Sequence, residues 1–213
     1  MRRRGLLVAD TRTRILEAAE RLYAERGVDG VSLREITEAA GQRNNAAVHY
    51  HFGGRDELVR ALFERRYAQL EARRAEMLDE LDAAGRGDDV DALVRVLVAP
   101  FAEAGELGDE GTWVRFVARL HEDPTFNPFS GGHPYAASDE ATAASREVTA
   151  RIRRALGISA KQAEVRFYLV TTMAVHAVAD RHAMADAGAG ERLPSGRALV
   201  DALVEAAIAV LTR

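Results

Sequence analysis

The 213-residue chain contains no cysteine, so neither a disulfide framework nor a thiolate metal site can form. Lysine is almost missing too. Lys161 is the one lysine among 29 basic residues, which argues against lysine-based phosphate transfer, and no P-loop, G-x-S-x-G or dinucleotide fingerprint occurs. Apolar runs are broken by charge well before the ~18 residues of a membrane span. The start, Arg2-Arg3-Arg4-Gly5-Leu6-Leu7-Val8-Ala9-Asp10, is basic, but its apolar run is too short for the h-region of a signal peptide. Strand-like alternation is scarce. The expectation is a soluble, cytoplasmic, all-α protein.

The histidines do not group as ligands. His49 and His51 are two apart and fall on different helix faces; His176 and His182 are six apart. His121-Glu122-Asp123 reads as a helix terminus or a pocket wall. No metal, no cofactor and no enzymatic activity are expected.

Composition is that of a folding chain, with 47% hydrophobic and 29% charged residues. The net charge of −4 is unevenly spread: residues 1–66 carry 13 Arg against 10 Asp and Glu, and the remainder carries 16 Lys and Arg against 23 acidic residues. A basic head on an acidic body suits a nucleic-acid contact confined to one end.

The head has the pattern of a helix-turn-helix. Ile15, Leu16, Ala19, Leu22 and Tyr23 form one stripe on a helix expected to begin near Asp10 or Thr11 and to end at Gly27. Ser32-Leu33-Arg34-Glu35 is a capping box opening a helix of about two turns that Gly41 stops. After Gln42-Arg43-Asn44-Asn45 comes a short helix, Ala46 to Phe52, with Val48 and Phe52 inward and His49, Tyr50 and part of His51 outward. Such a second short helix enters the major groove, about 12 Å wide. Gln42, Arg43, Asn44 and Asn45 have the amide and guanidinium edges that read bases, and Ala46 or Ala47 can touch a thymine methyl. His49 lies on the same face; Tyr50 and His51 suit phosphate contact. Ser32, Arg34, Gly54 and Arg55, at the starts of the flanking helices, supply N–H groups and charge for the backbone.

The remainder is also helical: a long helix from Arg55 to about Leu81, then Asp89–Ala104 with Pro100 inside, Thr112–Glu122, Glu140–Leu156, Ser159–Ala185 and Pro194–Leu211. Asp123–Asp139, with three prolines and two glycines, reads as a loop. The last two helices are apolar around most of their circumference, which calls for burial against a second copy. A homodimer through these helices is expected. Phe101, Trp113, Phe116, Tyr168 and Met173 could line a cavity or fill the core, with Arg119, His121 and His176 as polar groups able to orient a ligand.

The run Thr13-Arg14-Ile15-Leu16-Glu17-Ala18-Ala19, then Gly27, Ser32-Leu33-Arg34-Glu35-Ile36, Ala39-Ala40-Gly41 and Ala46-Ala47-Val48-His49-Tyr50-His51-Phe52-Gly53-Gly54-Arg55-Asp56-Glu57-Leu58 resembles the N-terminal domain of the tetracycline-repressor (TetR) family of transcriptional regulators. The turn Gln42–Asn45 is one residue longer than the family pattern. The resemblance implies a helix-turn-helix DNA-binding domain over residues 1–54. It also implies a helical ligand-binding and dimerisation domain over 55–213, joined by a linking helix at 55–81. The expected partners are a palindromic double-stranded DNA operator, a second copy of the chain and a small-molecule effector, with no membrane; repression is the family's default. The competing reading is a helical dimeric scaffold whose head does not bind DNA.

Overall fold

The computed structural model describes residues 2–42, 44, 46–106, 111–123, 125–127, 142–189 and 192–213, with backbone alone for 2–10 and 104–106. Its α-helices are α1 (Arg2–Arg26), α2 (Leu33–Ala39), α3 (Ala47–Phe52), α4 (Arg55–Ala83), α5 (Val90–Glu106), α6 (Thr112–Glu122), α7 (Ala143–Leu156), α8 (Ala160–Met184) and α9 (Gly196–Thr212). The fold is all-helical, as the periodicity requires. No helix among the described residues is long and apolar enough to cross a membrane.

The first helix departs from expectation. Asp10 and Thr11 are natural caps, yet α1 runs back to Arg2 and both lie inside it. A cap stops a helix only where the preceding residues leave helical geometry. Leu6-Leu7-Val8-Ala9 have no reason to do so, and the lone Gly5 costs only about 1 kcal/mol. The Asp123–Asp139 loop lies largely outside the described residues. So do Arg43 and Asn45.

The chain divides into two compact units, one of residues 1–67 with 119–136 and the other of 68–118 with 137–213. In the first, Ile15, Ala19 and Tyr23 of α1, Ile36 of α2, Val48 of α3 and Leu58, Val59 and Leu62 of α4 expose no surface at all. Leu16 is buried beside them and Leu22 only half-buried, so the α1 stripe is the core face its spacing indicates. Burial holds the Tyr23 phenol in its neutral form, with its pKa pushed up to about 12. A near-buried ion pair ties α1 to α4: Arg66 Nε donates to Glu20 Oε1 and Oε2 at 3.0 and 3.3 Å.

In the second unit α5 packs against α7, α8 and α9, and α8 against α9. Pro100 sits inside α5, two turns from its end, without terminating it. Close to this backbone defect lies Arg74, 2% exposed: its Nη2 donates to Leu97 O at 3.1 Å, its Nη1 to Ser145 Oγ at 2.8 Å, and its guanidinium covers the Phe101 ring at 5.1 Å. Glu71, 3.2 Å away, balances the charge. Arg74 occupies a core position of α4, between Leu70 and Leu78 at i+4 spacing, where apolar periodicity would call for a leucine.

Removing one partner of a buried pair leaves an uncompensated charge. Arg66→Ala, which deprives the buried Glu20 of its cation, should lower unfolding free energy by about 3 kcal/mol. The Glu20→Leu/Arg66→Leu double variant should lose less, as read by urea denaturation.

Candidate nucleic-acid interface

The geometry of the head begins at α2. Ser32 is its N-cap: Glu35 N donates to Ser32 Oγ at 3.2 Å, and Ser32 N donates to Glu35 Oε2 at 2.8 Å. The capping box read from the sequence is therefore formed. Arg26 Nη1 donates to the other Glu35 oxygen at 2.8 Å. The Ser32 backbone N–H, the Ser32 hydroxyl and Arg26 together pull the Glu35 carboxyl down to about 2.

At its other end α2 closes with a Schellman motif. Gln42 N donates to Thr37 O at 3.0 Å and Gly41 N to Glu38 O at 2.9 Å, with Gly41 at φ +67°. The chain then enters α3. Asn44 Oδ1 accepts from Ala46 N at 3.0 Å, and Asn44 O accepts from Ala47 N at the same distance, so Asn44 shapes the helix start with both its oxygens. Gln42 Nε2 turns back to Ala40 O at 3.3 Å.

On α3, Ala47 and Val48 are buried, while Ala46, His49 and Tyr50 face outward. Tyr50 is 81% exposed, and His51 meets its ring edge-on with centroids 5.0 Å apart. His49 Nδ1 lies 3.1 Å from Gly53 O; a carbonyl only accepts, so Nδ1 carries the proton and Nε2 is left for a partner. Gly53, at φ +93°, ends the helix, and Gly54 leads into α4. Arg55 Nη1 donates to Val28 O at 2.5 Å, which ties the start of α4 to the α1–α2 connector.

Of the residues read as an interface, Ser32 and Arg34 stand at the start of α2, Gln42 and Asn44 in the turn, and Ala46, His49, Tyr50 and His51 at or on α3. Their polar groups are already used in part by the chain. Ser32 belongs to the capping box, Arg34 Nε donates to Glu38 at 2.8 Å, and Gln42, Asn44 and Arg55 bond backbone. Ala46, Tyr50 and the outer edge of His49 present themselves to a partner. Arg43 and Asn45 lie outside the described residues.

The cavity candidates fall in both units. Phe101, Trp113 and Phe116 are buried in the second unit, the last two with ring centroids 5.7 Å apart. Tyr168, Met173 and His176 are half-buried along α8 of the same unit. Arg119 and His121 belong to the other unit; Arg119 pairs with Glu122 at 2.9 Å, and His121 O accepts from Asn127. A cleft of about 620 Å³ in the second unit, lined by Met77, Leu81, Arg95, Val204 and Ile208 among others, escaped sequence reasoning. Its walls come from the consecutive helices α4 and α5, with Arg86 of the turn between them, and from α9, remote in sequence. Among the described residues no three of His, Asp and Glu group as metal ligands would.

A three-helix head with an exposed polar face on its last short helix is the arrangement of a DNA-reading module. Residues 15–62 match the family described as bacterial regulatory proteins, tetR family. The head is a tetR-family domain. The tetR pattern extends to individual relatives: the chain is 41% identical over 78 residues to the probable HTH-type transcriptional regulator ArpR of Pseudomonas putida, covering 36% of this chain and 37% of that protein. It is 40% identical over 53 residues to the HTH-type transcriptional repressor AcnR of Corynebacterium efficiens, covering 25% of this chain and 28% of that one. The matched segments therefore span only 37% and 28% of these relatives' lengths. Over 93% of the chain the fold is similar to that of the TetR-family regulator PfmR of Thermus thermophilus, covering 94% of that chain at 17% identity with a TM-score of 0.52. That likeness concerns the fold alone.

The depressed Glu35 carboxyl has a consequence for acid stability. A carboxylate whose pKa is about 2 when folded, against 4.5 ordinarily, stabilises α2 fully above pH ~4.5, and that support is lost as pH falls through about 2. Amide exchange within α2 should accelerate over this window in the native protein. In Glu35→Ala the window should vanish and exchange should be fast throughout.

Proposed function

We propose that the protein is a sequence-specific DNA-binding transcriptional regulator, acting as a homodimer on a palindromic operator and released or engaged by a small molecule held in the second unit. The observation that carries this is the outward face of α3, with Tyr50 81% exposed beside Ala46 and His49 on a tetR-family head. A side chain that large has no folding reason to stand in water. It suits phosphate contact, while Arg43 and Asn45 of the preceding turn are assigned to base edges.

Dimerisation draws support from α8 and α9. Val165 and Leu169 are 50% and 48% exposed on the face of α8 opposite its buried residues, and Ala202 and Ala209 of α9 are exposed as well. Two reading helices about 34–36 Å apart would meet successive turns of one face of the duplex. An effector changes DNA affinity by no more than its own preference between the binding and non-binding forms. Repression follows if the bound dimer covers a promoter. No specific observation favours the scaffold reading.

The test is binding of the full chain to its own upstream DNA, at two salt concentrations and beside random competitor. Competitor-resistant binding that weakens with salt at a log–log slope of about −0.9 per phosphate contact is expected. Tyr50→Ala should weaken binding to all sequences alike; Arg43→Ala or Asn45→Ala should relax preference at particular positions. Equal losses on operator and random DNA for all three would overturn the base-reading assignment. Absence of specific binding, both upstream and after selection from random DNA, would overturn the function.

A further inference from the structure

The Schellman motif at the end of α2 satisfies the carbonyls of Thr37 and Glu38 but not that of Ala40, the last residue before the turn. That carbonyl accepts from Gln42 Nε2 in the turn at 3.3 Å and, at shorter range, from another helix. Arg14 Nη2, on α1 and 26 residues away in sequence, donates to Ala40 O at 2.6 Å. A cation against the carbonyl end of a helix gains from the macrodipole as well as from the bond. Gly41 is fitted to this contact twice over. Its φ of +67° is the left-handed region, and a Cβ built on it would overlap Arg14 Nη2. Immediately after Gly41 the chain is already in the turn that presents α3. A second arginine of α1, Arg12, lies over the ring of Phe52, the last residue of α3, at 4.8 Å.

We propose that Arg14 is a positioning residue for DNA recognition: its guanidinium clasps the α2–α3 turn through Ala40 O and, with Gly41, sets the pose in which α3 meets the major groove. The proposal rests on the DNA-binding reading above. It differs from a phosphate contact, the usual role of an arginine near DNA, because the side chain acts on the protein backbone and not on the ligand. A misaimed reading helix loses base contacts while the electrostatic attraction to any duplex persists.

The experiment compares Arg14→Ala, Arg14→Lys, Gly41→Ala and the Arg14→Ala/Gly41→Ala double variant in the full chain. Affinity is measured for operator and for random DNA across a salt series, and hydrogen exchange is followed over residues 41–52. Arg14→Ala should lose at least about tenfold on the operator, the worth of a bond to a charged group. Its random-DNA affinity and salt slope should stay unchanged, while exchange over 41–52 rises. Arg14→Lys, which keeps a donor but not the planar fork, should recover part of the loss. Gly41→Ala should cost less in the Arg14→Ala background than alone, because the overlap with the guanidinium is then gone.

Three results would overturn the clasp: operator and random DNA losing affinity equally, a salt slope reduced by about one, which marks a phosphate ligand, or unchanged exchange over 41–52 in Arg14→Ala. Failure of the underlying function is distinguishable. If the native protein binds no specific DNA, the function falls, while the exchange data still report whether Arg14 holds the turn.

Discussion

A six-residue helix cannot hold its own shape in water. Nucleation costs more than one turn of hydrogen bonds returns, so α3 exists only because the rest of the head imposes it. Val48 supplies the apolar anchor, exposing nothing, and Ala47 lies buried beside it. Everything else about the interface follows from that dependence. With the inner face fixed by Val48, the outer face is fixed at Ala46, His49 and Tyr50, and the start of the helix must be set by the turn that Asn44 and Gly41 shape.

The head uses much of its arginine on itself. Arg26 holds Glu35, Arg66 holds Glu20, Arg55 holds Val28 O, and Arg14 holds Ala40 O. The excess of three positive charges over residues 1–66 therefore overstates the cation left for phosphate, since the residues that supply it are partly committed to the fold. Guanidinium suits both tasks. It spans from one helix to the carbonyl end of another with several donors in a rigid fork, which a lysine ammonium does not reproduce. The Arg55 side chain as a whole stays about one-third exposed, with Asp29 3.9 Å from Nη1, so holding the connector does not bury it.

Local chemistry made much of this legible in the sequence. The capping box at Ser32 and Glu35, the stop at Gly41, the α1 stripe and the outward side of α3 are all decided by residues within a few positions of one another, and the structure has each where the spacing puts it. What escaped is non-local or competitive. Composition cannot say that Gln42 and Asn44 will bond the turn's own backbone, because their amides suit a base edge equally well. Arg74 interrupts the apolar rhythm of α4 without leaving its core face; the signal is a charged residue at a core position, next to a proline-bearing helix with which it pairs. The aromatics that the sequence left open between cavity lining and core differ in burial: Phe101, Trp113 and Phe116 are buried and Tyr168 is half-buried, while a wide cleft is lined by other residues of α4, α5 and α9.

In the proposed regulator the exposed face of α8 would bear on the strength of DNA binding as well as on assembly. One head of the proposed regulator would meet a half-site through few contacts, which would support only weak association. Covering Val165 and Leu169 with a second copy, as proposed, would join two such heads, and the second would then engage at an effective concentration set by geometry instead of by the amount of protein in solution. Affinity gained this way can exceed that of either head by orders of magnitude, but only while the spacing fits. A ligand that alters the spacing need not touch the reading helix to abolish binding. The weakness of a single head would thus be a requirement of the proposed regulation, because a head that bound tightly alone would not let go.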